Sequence, residues 1–405
     1  MNRVEPSFSF GIEEEYFVVD QESRDLPTKL PQQLLSELKT SLGKRFSEEF
    51  LRAQIEISTP ICATSLEARR WLVYLRRSIS HLTSQHGLAL VASATHPFAR
   101  WHQQRHTDSR RYNNIADDLQ QLGRRMLCNG LHVHIGIEPN ELRIELMNAL
   151  RQFLPLLLAL STSSPFWQGE VTGLRSYRTA INDATPRKGI PERFADWHDY
   201  KRAVGVLARA GVIEDESKIW WDLRPSAHFQ TLELRIMDVC PLVEDTICLA
   251  ALARCLCRYL YRTRHNGAGA PDHALMLINE NRWRAQRYGV ENGLVDLNCG
   301  RLVDVCDMVD DVLELVREDA EHFGCVAEVK HARTIAACRT SAERQLALYR
   351  KLRMQGHPPE NSVESVVDQL IAETVSDPAM LPANEAYLDA FCAAGRTTPQ
   401  MAEAI

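Results

Sequence analysis

The stretch FSFGIEEEYFVVD, residues 8–20, sets three consecutive glutamates inside a run with the aromatic and β-branched composition of a strand. Carboxylates are depleted from strands and costly to bury, because an ionised group must give up its water. Alternate side chains of an extended chain share a face, so Glu13 and Glu15 point one way and Glu14 the other. The expectation is a polar face carrying Glu13 and Glu15, with Glu14 meeting a helix-borne cation or solvent behind it.

Four further strand-like segments repeat the anomaly. Glu56 interrupts QIEIS, and His132 and His134 share a face of LHVHIG. Asp222 and Arg224 share one in WWDLRP, as do Glu233 and Arg235 in TLELRIM. Each pair alone reads more simply as a solvated sheet face laced by cross-strand ion pairs. In one sheet they would gather Glu13, Glu15, Glu56, Glu233, His132 and His134, with Arg224 and Arg235 as counter-charges. Clustered carboxylates raise one another's pKa unless a cation neutralises them. Hard oxygen donors with one or two imidazoles suit Mg²⁺ or Mn²⁺, and arginines beside such metals grip phosphate oxygens bidentately. The pattern points to a metal–nucleotide site built on a sheet, without naming the acceptor of the phosphoryl group.

Composition is compatible with that reading. The chain has 405 residues, 45% hydrophobic and 25% charged, which is enough for one large domain or two ordinary ones with a sizeable core. A net charge of −6 argues against nucleic acid as the main partner. The N-terminus lacks the layout of a signal peptide, and runs such as LPLLLAL (154–160) are too short to span a bilayer. Eleven cysteines without a CxxC pair read as reduced thiols of a cytoplasmic protein.

Periodicity predicts strands at 8–19, 52–59, 88–95, 130–137, 218–224 and 230–238. Helices are expected at 31–41, 65–86, 141–162 (bent near Pro155), 242–263, 272–287, 303–323, 330–352 and 361–374. Residues 100–112 and 183–199 read as loops, and Gly267–Pro271 as a break. Strands mixed with helices, then helices alone, favour an α+β fold with an antiparallel sheet. One domain over 1–375 with a C-terminal extension, 376–405, is expected. No G-x-G-x-x-G run follows a strand and no Walker A sequence occurs, so a nucleotide site here works without a phosphate-cradling glycine loop.

The segments FGIEEEYFVVD, QIEISTP, CNGLHVHIGI, TGLRSYR, IWWDLRPS, LELRIMD and ENRWRAQRYG, in this order, resemble the bacterial carboxylate–amine ligase family, also called glutamate–cysteine ligase type 2. The resemblance implies a glutamine synthetase-like catalytic domain, with a curved, mainly antiparallel sheet flanked by helices. It also implies ATP-dependent amide formation through an acyl phosphate, Mg²⁺ (or Mn²⁺), amino-acid and amine substrates, no membrane, and a homodimer. Carried over by motif, Glu13, Glu15, Glu56, His132 and Glu233 are similar to metal ligands, and His134 to a residue contacting the ATP phosphates. Arg224 and Arg235 resemble phosphate binders that steady the transferring group.

Other positions stay open between function and structure. Arg175, Tyr177 and Arg178 fit either the carboxylate of an amino-acid substrate or a solvated basic segment. Asn129 fits a substrate hydrogen bond or a turn, and Arg110, Arg111 and Tyr112 a closing segment. Asp222 suits holding an arginine in place, while Arg282, Trp283 and Arg284 fit structure or an interface as well as catalysis. A two-metal phosphohydrolase would use the same carboxylates. A nucleotide-binding protein without catalysis is the remaining rival.

Overall fold

The computed structural model describes residues 5–264 and 273–376. The expected break at 267–271 and the C-terminal extension, apart from Ser376, lie outside the described residues. Seven strands form one sheet: β1 (Phe10–Asp20), β2 (Phe46–Glu48), β3 (Gln54–Ser58), β4 (Leu88–Val91), β5 (Leu131–Gly136), β6 (Leu223–Pro225) and β7 (Thr231–Leu234). Their spatial order is β2-β3-β1-β5-β7-β6, with β4 paired to the far end of β1, and every pairing is antiparallel. The α+β class expected from the sequence is what forms.

Register decides where the charges land. Glu15 lies opposite Glu56, Glu13 opposite His132, His134 opposite Glu233, and Glu233 opposite Arg224. Because partners across a ladder face the same way, these residues make one row across five strands. A slip of one residue in any pairing would turn that strand's charges into the core.

The opposite face of the sheet carries Phe10, Ile12, Ile55, Ile57, Val133 and Leu234 into the main core. The helices Ser65–Ser84 and Val243–Thr263 pack there. In the first, Leu72, Leu75 and Ile79 recur on the buried stripe, and the Thr64 hydroxyl caps its first turn by accepting from the Glu67 amide. Glu14 points into this core and is fully buried. Its carboxylate accepts from Arg76 (2.5 and 2.9 Å) and from the hydroxyls of Thr246 (2.8 Å) and Tyr16. Arg76 also donates to the carbonyls of Cys240, Pro241 and Thr374. One ion pair thus links β1 to both packed helices and to the closing helix Pro359–Val375.

The front face changes character along β1. Gly11, Glu13 and Glu15 are followed there by Phe17 and Val19, which join a second core with Phe50, Leu127, Phe166 and Leu370. That core closes one end of the polar row.

Several expected boundaries shift. Residues 100–112 are not all loop: Ser109 caps a helix over Arg110–Leu119 by accepting from the Tyr112 amide. A second helix, Trp197–Arg209, begins inside the expected 183–199 loop, capped by Asp196. Residues 330–352 are two helices, because Arg339 takes a left-handed conformation (φ 81°) and Thr340 and Glu343 form a capping box that starts a new one. The 303–323 segment likewise divides at Val316. Short strands Phe46–Glu48, Leu294–Asp296 and Arg301–Val303 carry too little periodicity to be read in advance.

The stretch Asn140–Ser161 is, by length and composition, apolar enough to cross a bilayer, although its longest uninterrupted apolar run is short. Within the fold 72% of its most apolar window is buried, and a 3₁₀ turn at Arg151–Phe153 interrupts it just before Pro155. It is a core element. None of the described cysteines is in a disulfide.

Candidate active site

The row of charges forms the floor of a cleft. Glu13 stands between two imidazoles: His132 Nδ1 is 3.3 Å from Glu13 Oε2, and His134 Nε2 is 3.4 Å from Glu13 Oε1. His132 Nε2 lies 3.8 Å from Glu15 Oε1, and Glu15 also accepts from the Gly130 amide at 2.6 Å. At the other end, Arg224 grips Glu233 with Nε and Nη2 at 2.8 and 3.1 Å, and Arg235 pairs with the same carboxylate. Arg224 is fixed in turn by the carbonyls of Ser217 and Ile219.

Two groups of donor atoms converge, each within 4.8 Å: Glu13, His134 and Glu233, and then Glu15, Glu49 and Glu56. The expected metal set contained His132 and left His134 to the phosphates. In the structure His134 belongs to the first convergent group, while His132 sits between the two groups. The cause is register, which pairs His134 with Glu233. His134 Nδ1 is held by the Thr231 hydroxyl (2.9 Å), whereas its buried Nε2 makes no hydrogen bond. Glu49, in the β2–β3 connection, was not anticipated, since periodicity says nothing about where a loop side chain points.

The electrostatics differ between the two groups. For Glu233, burial works to raise the pKa, but Arg235, Arg224 and His134 outweigh it and hold the carboxyl well below the usual range. For Glu13, burial is likewise overcome by His134 and His132. Burial also opposes the His134 imidazolium, yet Glu13 and Glu233 keep its pKa above the ordinary value. In the second group compensation falls short: burial outweighs His132, Arg178 and Arg235, which act to lower the Glu15 pKa. Burial and then the neighbouring Glu13, Glu49 and Glu15 push Glu56 well above the carboxylate range, and burial raises Glu15 as well. Three carboxylates this close hold a shared proton or a divalent cation.

The two ends of the cleft differ. Beside Glu13 and His134 the walls are Ile61 and Phe229, with Gly11 leaving room at the floor. Over Glu48 and Glu49 lies the Arg110–Leu119 helix, whose Tyr112 hydroxyl donates to the Glu48 carbonyl (3.0 Å).

The remaining candidates separate. Arg178 donates to the carbonyls of Ile236 and Arg235 and lies 3.8 Å from Asp238, close enough to lower the Glu15 pKa. Arg175 turns elsewhere, to Glu291 and Glu343, neither of them in the acidic row. Tyr177 packs on Trp167 in the second core. Asn129 is buried, its amide bonded to Gln54 and to the Ser93 carbonyl. Asp222 holds Arg282 at 2.6 Å, and Arg282 holds Asp183, so this trio braces the wall of the site. Lys188 was also missed. It lies in the 184–196 loop, whose 187–189 segment is tied by Trp220 N→Arg187 O (3.0 Å) and Asp222 N→Gly189 O (2.8 Å).

Comparison with known proteins gives the chain a family and its fold a set of solved counterparts. The sequence model of glutamate-cysteine ligase family 2 matches residues 9–369. A Rhodospirillum rubrum protein is 48% identical over 376 residues, covering 92% of this chain and 97% of its own. A Jannaschia protein is 46% identical over 366 residues, covering 90% and 96%. Both are provisionally named glutamate–cysteine ligase 2. Among solved structures, a glutamate–cysteine ligase from Francisella tularensis in complex with AMP aligns with a TM-score of 0.66 at 14% identity, over 96% of this chain and 92% of that one. A bifunctional glutathione synthetase from Pasteurella multocida aligns at 0.63 and 14% identity over 90% of this chain, which spans about half (52%) of that longer protein. At such identities the structures establish the glutamine synthetase-like fold, and the sequence match establishes kinship: this chain belongs to glutamate-cysteine ligase family 2.

Proposed function

We propose that the protein is an ATP-dependent carboxylate–amine ligase. In the first step an oxygen of the acid's carboxylate attacks the γ-phosphorus of ATP, the bond to the β-phosphate oxygen breaks, and ADP leaves. In the second the amine nitrogen attacks the acyl carbon, phosphate departs, and the nitrogen loses a proton as the amide forms. The observation that carries this reading is the single row of Glu56, Glu15, Glu13, His132, His134, Glu233 and Arg224 across five strands.

Phosphoryl transfer asks mainly for alignment and charge neutralisation, which this row is built to give. The donor sets Glu13–His134–Glu233 and Glu15–Glu49–Glu56 suit Mg²⁺ or Mn²⁺. Such ions, when bound, neutralise phosphate charge. His132 orients Glu13 and Glu15 between the two sets. Arg224 and Arg235, anchored on Glu233, present guanidinium charge to the transferring phosphoryl group. The apolar walls Ile61 and Phe229 suit the base of the nucleotide.

L-Glutamate and L-cysteine are the default pair, because they are in the names of the relatives. The test is a screen of acid and amine pairs for ATP-dependent phosphate release, with mass analysis of the product. A ligase releases phosphate in step with amide and only when both partners are present, apart from slow uncoupled turnover. Equal release with neither partner would establish a phosphohydrolase and overturn the proposal.

A further inference from the structure

We propose that Lys188 is a substrate-binding residue that, beside Arg178, takes the carboxylate of the acid to be activated. The inference rests on the ligase reading above and deepens it. Lys188 is held by the backbone bonds of its loop neighbours to Trp220 and Asp222, and its ammonium lies 5.9 Å from the Trp220 ring. The charged and titratable groups that act on it most strongly are Arg235, Arg178, Cys128 and Asp222.

None of these supplies a free anion. Asp222 is committed to Arg282, and burial pushes the Cys128 thiol up to about 12, so it stays neutral. Arg224 and Arg235 have Glu233, but the Lys188 ammonium has no ion pair among the described residues. Burial first, then Arg235 and Arg178, lower its pKa to about 7. A lysine placed among arginines, whose neighbouring carboxylate Asp222 is already taken by Arg282, is a place for an incoming anion.

Position selects which anion. β5 starts beside Gly130, where an added Cβ would lie 2.4 Å from Arg178 Nη2, and ends at Gly136 near the apolar Phe229 cleft. Six residues of strand span about 20 Å. A nucleotide with its base at the Phe229 end therefore has its γ-phosphate over the middle of the row. The acid falls at the Gly130 end, where Arg178 and Lys188 wait.

The experiment is calorimetric binding at pH 8 with Mg²⁺ and a non-hydrolysable ATP analogue, using L-glutamate, L-aspartate and glutarate as probes. Lys188→Met should weaken binding of the preferred acid about tenfold or more and leave analogue affinity and melting temperature unchanged, while Lys188→Arg keeps part of the affinity. Acid binding to wild type should take up a fraction of a proton, seen as a dependence on buffer ionisation enthalpy that Lys188→Met abolishes. Unchanged acid affinity in Lys188→Met overturns the proposal. So does loss of analogue affinity instead, or wild type that binds the analogue and none of the three acids. Wild type that neither binds the analogue nor releases phosphate with any acid and amine would sink the ligase reading and this proposal together.

Discussion

At the scale of single residues, three adjacent glutamates do three different things. Glu13 and Glu15 are on the front face, one between imidazoles and one in a cluster of three carboxylates, while Glu14 is sealed behind with Arg76. Removing one partner of a buried ion pair leaves the other charge stranded, at a cost of about 3–5 kcal/mol. Glu14→Gln should therefore lower stability by that order in chemical denaturation. Glu13→Gln and Glu15→Gln should fold as well as wild type and release no phosphate from ATP. If Glu14→Gln melts normally, the Arg76 network is not the tie that its contacts indicate. The alternation was legible in residues 8–20, because period-two patterning is local. That Glu14 would find an arginine rather than water was left open, since Arg76 is 62 residues away. The convergence of His134, rather than His132, with Glu13 and Glu233 has the same origin: a strand's sequence tells which side chains share a face, not which partner strand each will meet.

Elements carry the next level of constraint, and Gly130 shows it. The glycine precedes β5 and its amide binds Glu15, while the Arg178 guanidinium from another element lies where a side chain would be. An added methyl would sit 2.4 Å from Arg178 Nη2 and 3.1 Å from His132 Nε2. The end of a flexible side chain can move aside, so Gly130→Ala should cost little stability yet displace Arg178 from the cleft. The expected outcome is a melting temperature near wild type with a raised KM for the acid; an unchanged KM would show that Arg178 need not lie there. Elements with long periodic patterns were readable in advance, such as the helix Ser65–Ser84 and the strand β5. The parts that complete the site were not. Glu49 and Lys188 stand on connections, and the helices Arg110–Leu119 and Trp197–Arg209 start at Ser109 and Asp196 caps inside segments rich in loop-forming residues. The connections that carry Glu49 and Lys188 are placed by long-range hydrogen bonds that no local pattern encodes.

For the whole molecule, the site and the stability curve are coupled through charge. The Glu15–Glu49–Glu56 group repels itself, and a divalent cation bound only by the folded chain stabilises it by about 2.7 kcal/mol at a hundred times its dissociation constant. Mg²⁺ or Mn²⁺ should raise the melting temperature and chelation reverse it. Glu56→Gln should melt higher than wild type in chelator, because a repulsive charge is gone, and gain less on adding metal; an equal gain would take Glu56 out of the cation site. A second linkage lies beyond the end of this row, at His96, which packs on Phe17 and is fully buried. Its Nδ1 accepts from the amides of Phe98 and Ala99 and its Nε2–H donates to the Arg24 carbonyl, an arrangement that requires the neutral ring. Burial lowers its pKa from 6.5 to about 4. Between those values the unfolded chain holds a proton that the folded chain refuses, so stability is full above pH 6.5 and declines as pH falls towards 4. The total is on the order of 3 kcal/mol, at about 1.4 kcal/mol per pH unit. In His96→Asn the side-chain oxygen still accepts from the two amides but cannot titrate. Denaturant unfolding of both proteins from pH 4 to 7 should give a shallower acid decline in the variant, by up to that amount. Parallel curves would mean that His96 is charged in the folded state and that its hydrogen bonds are arranged differently.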